Sequence, residues 1–363
     1  MPRLRKKILK TKMGEMSAQE RVPVNLKRVI WPVLAGLLVS GYQIYSGWNT
    51  ASLLAVEWSR IAWSGLLPSL LLIVLRDAAY VWRLRLLTEN RLSLWSSIQV
   101  IMLWEFGSAI TPGAVGGIAL AVFLLRLEKI PYGRGTAIIM ITTFLDNLAY
   151  ISMFGLLYSL KGASMFDVSA ACISPASGLT EAVRNLSGYI WLGYVILFGI
   201  TALLAVGLYL PETARKVLAG IARFPLLRRW ENSIRQQSEE LLITAREFRN
   251  YTVGWFVQIF LVTLLSWLSR YLLVVVLIVS FSGGTANWFD VFVRQYVVWL
   301  MLIVPTTPGA SGIAELLFEA MNCEFLPGGI AGAAALVWRL LSYYFYLAAG
   351  MLILPRWLSR VMR

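Results

Sequence analysis

Histidine is absent from the 363 residues, and cysteine occurs only twice, as Cys172 and Cys323. Without histidine the usual neutral-pH general base is missing, along with the Ser-His-Asp and Cys-His pairs and the commonest metal ligand. Two cysteines are too few for a zinc site or a disulfide framework. Charge is scarce as well: Asp, Glu, Lys and Arg make up 14% of the chain, against about 25% in ordinary soluble domains. Hydrophobic residues make up 58%. That balance excludes a water-soluble globule. Acids are the scarcer sign, 19 against 33 Lys and Arg, for a net charge of +14. Spread over so apolar a chain, the basic excess points to a membrane surface rather than to nucleic acid. Neither a G-x-x-x-x-G-K-[ST] loop nor a G-x-G-x-x-G strand-to-helix turn is present, so no cofactor, metal or catalytic centre is expected.

What the chain has is apolar length. Stretches near 29–47, 61–82, 136–160, 188–210, 251–281 and 330–354 reach the roughly 20 residues that a membrane-crossing helix needs. Two more, 98–125 and 289–321, are interrupted by Pro and Gly. They carry I-T-P-G-A-V-G-G from Ile110 and P-T-T-P-G-A-S-G from Pro305. The fold expected is an all-α polytopic membrane protein with six full spans and two broken-helix hairpins, or eight helices in all. Segment 1–28 holds nine Lys/Arg and two acids, and 83–95, 126–135, 211–250 and 355–363 are also net positive. The loops 48–60, 161–187 and 282–288 sum to zero. The positive-inside bias therefore puts both termini in the cytoplasm of a plasma membrane, the inner membrane if the source is bacterial. The chain divides into a basic N-terminus (1–28), one membrane domain (29–354) and a basic tail (355–363). Segment 211–250 is read as cytoplasmic helices lying at the interface. Trp95, Trp191, Trp288 and Trp357 fall at span ends, as an aromatic belt would. Cys172 and Cys323 both fall on the outer side and are read as two separate buried thiols, with a disulfide as the alternative in an oxidising compartment.

The halves resemble each other. The hexapeptide T-P-G-A-x-G begins at Thr111 and again at Thr307, and an Arg precedes each proline by a similar distance: Arg76 lies 36 residues before Pro112, Arg270 38 before Pro308. A buried charge follows each, Asp146 and Arg339. Because the flanking charges reverse, the two units (about 61–160 and 251–354) read as inverted-topology repeats, with hairpins entering from opposite leaflets.

In lipid, broken backbone is tolerated only against protein or a water-filled cavity. Thr111 and Thr307 are expected to cap helices in which Pro112 and Pro308 take the first turn. Gly113, Gly116, Gly309 and Gly312 would leave amides open to an anion. The alternative reading is that Pro and Gly serve only tight helix packing. Arg76, Asp77, Glu105, Asp146, Arg270, Glu315, Glu319 and Arg339 fall within apolar stretches, where each costs on the order of 2.5 to 3.5 kcal/mol. Arg270 and Arg339 are the leading phosphate ligands, since a guanidinium binds two oxygens at once. The competing reading has the arginines neutralising Asp146, Glu105 and Glu315, with Arg76 and Asp77 as a local pair. Glu315 and Glu319, one turn apart, suit either a proton path or a cavity wall.

The block R-L-L-T-E-N-R-L-S-L-W-S-S-I-Q-V through F-G-S-A-I-T-P-G-A-V-G-G and F-L-D-N, with V-P-T-T-P-G-A-S-G-I-A-E and V-W-R-L-L-S-Y-Y, resembles the lysylphosphatidylglycerol synthase transmembrane region family. That family is also described as flippase-like. Where its members show Gly-Glu after the first proline turn and an Arg just before the Asp, this chain has Gly117-Ile118 and Thr142-Thr143. The resemblance implies a lipid translocase for an anionic phospholipid or polyprenyl phosphate, without the cytosolic aminoacyl-transferase domain. Its partners would be anionic membrane lipids and a lipid-modifying or glycosyl-transfer enzyme. Alternatives are an accessory subunit, a lipid-head-modifying enzyme using Glu105 and Asp146, and an ion-coupled small-solute transporter.

Overall fold

A computed structural model of the protein describes residues 65–111, 113–167, 186–210, 212–213, 251–302, 310, 313–326 and 330–361. Every regular element among them is helical: α1 (Leu66–Leu87), α2 (Leu94–Ile110), α3 (Gly113–Leu127), α4 (Tyr132–Lys161), α5 (Leu186–Tyr209), α6 (Val253–Phe281), α7 (Trp288–Met301), α8 (Ile313–Asn322) and α9 (Ile330–Val361). The stretches 29–47 and 211–250 lie outside the described residues, apart from 212–213.

Four segments are long and apolar enough to cross a membrane: Tyr132–Phe166, Ser187–Tyr209, Val253–Phe281 and Ile330–Val361. These correspond to four of the six stretches read as spans. The protein is a multi-pass membrane protein. At 22 residues, or about 33 Å, α1 also has the length for the roughly 30 Å hydrocarbon layer, but it carries Arg76, Asp77, Arg83 and Arg85. The interrupted stretches break as expected. In the first, α2 has 17 residues and α3 has 15; in the second, α7 has 14 and α8 has 10. At 1.5 Å per residue none exceeds about 26 Å, so no arm of either pair spans alone.

Helix ends follow local chemistry. Ser93 and Thr252 accept bonds from the amides of Ser96 and Trp255, and Asn287 caps α7 through the amides of Phe289 and Asp290. Thr88 closes α1 by donating its hydroxyl to the Leu84 carbonyl at 2.8 Å. Glu89 and Asn90 then turn the chain with φ of 54° and 56°, left-handed backbone that Asn tolerates better than Glu.

The helices meet where side chains are small. α1 and α6 run antiparallel in close contact: a Cβ on Gly65 would lie 1.7 Å from Ser280 Oγ, and Arg83 at the other end donates to Thr263 Oγ1 at 3.2 Å. Thr263, Ser266 and Ser269 line α6 and are buried, small enough to let the backbones approach. α2 folds onto α3 at Gly107 and Gly117, and onto α9 at Gly350, where a Cβ would stand 2.2 Å from Phe106.

Among the described residues two large hydrophobic cores form, one built mainly from α1 to α4 and the other mainly from α6 to α9 with α5, beside a small third cluster of Phe106, Ala109, Tyr343 and Leu347 between α2 and α9. α1 contributes Ile73 to the second core and Tyr80 and Leu84 to the first. Arg76 and Asp77 fall between them. In α6 the same change occurs between Ile259 and Tyr271, across Thr263, Ser266 and Ser269. A polar layer thus separates the cores at the α1–α6 seam. α4 and α7 are tied by a reciprocal bond: the Tyr150 hydroxyl donates to the Tyr296 carbonyl at 2.7 Å, and the Tyr296 hydroxyl to the Tyr150 carbonyl.

Three local readings need correction. Trp95 and Trp288 are exposed and Trp191 is 41% exposed, as a belt requires, but Trp357 is buried and donates its indole N–H to Glu128 at 2.7 Å. The carboxylate of the first residue after α3 claims it. The helix α9 continues through Pro355 to Val361, rather than ending where a polar tail was expected. Cys323 is disulfide-bonded, not a separate thiol; Cys172 lies outside the described residues.

Candidate functional site

Among the described residues, the polar layer at the α1–α6 seam gathers a dense set of buried charges. Arg76 is 2% exposed. Its Nε and Nη2 donate to Asp77 Oδ1 at 3.0 and 2.9 Å. Asp77 in turn accepts the Tyr346 hydroxyl of α9 on both oxygens, at 2.9 and 3.0 Å. The expected local pair exists, yet Arg76 is more than that, because Nη2 also lies 3.7 Å from Glu105 Oε1 on α2.

Arg270 approaches the same Glu105 oxygen from α6 at 3.5 Å and donates to the Tyr80 hydroxyl at 3.1 Å. Its guanidinium lies 4.7 Å from the centre of the Trp299 ring and 5.4 Å from that of Trp267. Arg76 is likewise 4.6 Å from Tyr346. Aromatic faces substitute for water around both cations. Two guanidiniums from two helices therefore converge on one carboxylate, and neither holds it at an ideal hydrogen-bond distance.

One turn along α1 from Tyr80, Arg83 makes the tightest pair of the seam. Its Nη1 and Nη2 reach Asp146 of α4 at 2.5 and 3.3 Å, and the Trp267 indole donates to the same carboxylate at 3.0 Å. The charge pattern of the sequence assigns Arg83 to the basic loop 83–95, whereas it lies within α1. The signal was spacing: 76, 80 and 83 fall at i, i+4 and i+7, one face of a helix.

The second hairpin places Glu315 on α8 and Arg339 on α9 at 2.8 Å. Arg339 sits 3.9 Å from the Tyr343 ring centre, just before a π-helical turn at Leu340–Tyr344. Such turns recur at functional sites. Glu319 lies one turn after Glu315 on α8. Arg270 and Arg339, read as phosphate ligands, thus face Glu105 and Glu315 respectively. The structure does not bring these two arginines together in any direct contact among the described residues.

Thr111 stands at the break with extended backbone, and its hydroxyl donates to the Gly107 carbonyl at 2.7 Å. It closes α2 instead of turning forward onto α3, as a Thr can when the carbonyl one turn back lies nearer than the next amide. Gly113 opens α3, with Gly116 in its first turn. Pro112, Thr307, Pro308, Gly309 and Gly312 lie outside the described residues.

Ion pairs also tie the helix ends. Glu89, in the turn between α1 and α2, accepts the Tyr251 hydroxyl and pairs with Arg134 at 2.7 Å. The Tyr251 bond, then Arg134, hold its carboxyl below the ordinary glutamate range. Glu128 joins Arg360, whose other amine donates to Ser96 at 2.6 Å, and at the opposite end Lys161 of α4 pairs with Asp290 of α7.

Residues 29–350 match the family described as the lysylphosphatidylglycerol synthase TM region. A UPF0104 membrane protein of Archaeoglobus fulgidus is 23% identical over 302 residues, which cover 80% of this chain and 86% of that protein. No solved structure matches. With the match running from the first apolar stretch through the Arg76–Glu105–Arg270 cluster to α9, this chain belongs to the lysylphosphatidylglycerol synthase transmembrane region family.

Proposed function

We propose that the protein is a lipid translocase that carries an anionic phospholipid, or another lipid with a phosphate head, between leaflets. The observation that carries this reading is the pair of buried guanidiniums, Arg76 and Arg270, converging from α1 and α6 beside the arm of a broken hairpin. Two arginine forks in a water-poor setting suit a phosphate, which offers several acceptor oxygens at once. The aromatic rings beside them, Tyr80, Tyr346, Trp267 and Trp299, suit the passage of a partly desolvated head with its chains left in lipid.

Family membership supports a lipid-related role for a membrane protein of this kind. The order of elements supports the rest. A long helix, a broken pair of short arms and a second long helix occur as α1, α2–α3, α4 and again as α6, α7–α8, α9. Together with the reversed charge bias of the loops, this order supports a reading as inverted repeats, with both termini in the cytoplasm and each hairpin entering from its own leaflet. Alternating access then exchanges the ties at the two ends, Glu89 with Tyr251 and Arg134 on one side, Lys161 with Asp290 on the other.

The test uses purified protein in liposomes of mixed phosphatidylcholine and phosphatidylglycerol with head-labelled lipid in trace amount. Label on the inner leaflet should become accessible to a membrane-impermeant quencher faster than in empty vesicles, and Arg270→Gln should slow it at least about tenfold. Equal rates with and without protein, for every anionic lipid tried, overturn the reading.

A further inference from the structure

The two cations of the seam are not equally satisfied. Arg76 spends its short bonds on Asp77, which Tyr346 locks in place. Arg270 has one short polar contact among the described residues, the Tyr80 hydroxyl at 3.1 Å, and its Nε is buried without a hydrogen-bond partner. Five donors on a guanidinium in a buried site call for more acceptor than one phenol oxygen. What lies nearest is Glu105, shared at 3.5 and 3.7 Å, distances at which a carboxylate neutralises without coordinating well.

Glu105 is also the accessible member of the group. Its side chain is 24% exposed, against 3% for Arg76, 12% for Asp77 and 14% for Arg270. It projects from α2 six residues before Thr111, on the arm that leads into the break. The carboxylate is therefore loosely held, on the open side of a poorly coordinated cation, and carried by the element next to the chain break.

We infer that Glu105 is a resident counter-anion: it holds the place of a phosphate oxyanion between Arg76 and Arg270 and is displaced when one docks. This rests on the translocase reading for its ligand but concerns a separate property, the exchange of one anion for another. The chemistry is a balance of charge. Arg76 and Arg270 against Asp77 and Glu105 sum to zero, and a phosphodiester carries one negative charge, so a one-for-one exchange leaves the layer neutral. When the ligand departs, Glu105 returns and spares the protein an uncompensated buried cation. The tethered carboxylate weakens binding and speeds release.

The experiment measures binding of two probes, inorganic phosphate and dihexanoyl phosphatidylglycerol, to the purified full chain in detergent by titration calorimetry. Glu105→Gln keeps the shape and removes the charge. It should bind dihexanoyl phosphatidylglycerol at least about tenfold tighter than the wild type, and the double variant Glu105→Gln/Arg270→Gln should lose that gain. A parallel gain for inorganic phosphate assigns the site to the oxyanion itself; a gain for the lipid probe alone assigns it to the lipid head. Either supports the inference. A Glu105→Gln protein that binds both probes no tighter than the wild type overturns it, as does a gain that persists without Arg270. Should Glu105→Gln fail to fold, Glu105→Asp draws the carboxylate back by one methylene and should tighten binding by a smaller factor; unchanged binding again overturns the proposal. Flipping separates the two ideas. A wild type that flips no lipid while Glu105→Gln binds tighter sinks translocation and keeps the counter-anion. Normal flipping in both with unchanged binding does the reverse. With both ideas right, Glu105→Gln binds tighter and flips more slowly.

Discussion

Arg83 shows how a single side chain can anchor a membrane interior. It joins α1 to Asp146 of α4 and Thr263 of α6, and Trp267 completes the carboxylate's shell. Removing one partner of a buried pair leaves the other charge without compensation, so Arg83→Gln or Asp146→Asn should destabilise by about 3 to 5 kcal/mol, while the double variant regains part of the loss. Melting curves in detergent measure both; equal stability of single and double variants would contradict the pairing. The sequence made Asp146 conspicuous, because an acid within an apolar run is costly. It hid Arg83 at the end of such a run, where a cation is ordinary. Arg270 and Glu105 were legible as buried charges for the same reason, but that they share one site depends on α2 folding back toward the α1–α6 seam, a contact that one chain read alone does not specify.

Among elements, the broken hairpins and their neighbours were legible from Pro and Gly, and their partners were not. Gly107 and Gly117 bring α2 onto α3, and Gly350 admits Phe106. Replacing Gly350 by Leu should therefore separate α2 from α9 and sharply lower the yield of folded protein. Gly155 on α4 has nothing within 4 Å of a Cβ, so Gly155→Ala should instead raise the melting temperature slightly, by removing backbone freedom worth about 0.5 to 1 kcal/mol. Fluorescence-detected size exclusion checks the first, a melting curve the second. The turn from α1 to α2 gives a pH effect. Tyr251 and Arg134 keep the Glu89 carboxyl below its ordinary range, so the stabilisation it brings is full above the unfolded-state value near about 4.3 and fades as pH falls through the lower folded-state value. The difference in melting temperature between wild type and Glu89→Gln should close on going from about pH 6 to about pH 3. A constant difference across that range would show that Glu89 acts without its charge.

For the whole molecule, the helical membrane fold was legible in composition, since 58% hydrophobic residues with 14% charged leave few other solutions. Which helices face lipid was not. α5 is apolar on all sides, and only 22% of its most apolar stretch is buried, against 56% for α6, because α6 is the helix that packs along α1. The central claim, a phosphate head received between α1 and α6, is tested most directly by photolabelling. A phospholipid with a diazirine in its head group, irradiated with the purified protein in liposomes and followed by peptide mass spectrometry, should mark α1 around Arg76 to Arg83, α2 at Glu105 and α6 around Trp267 to Arg270. Labelling confined to the exposed lipid-facing residues of α5, such as Val195, Phe198 and Leu203, would contradict the account.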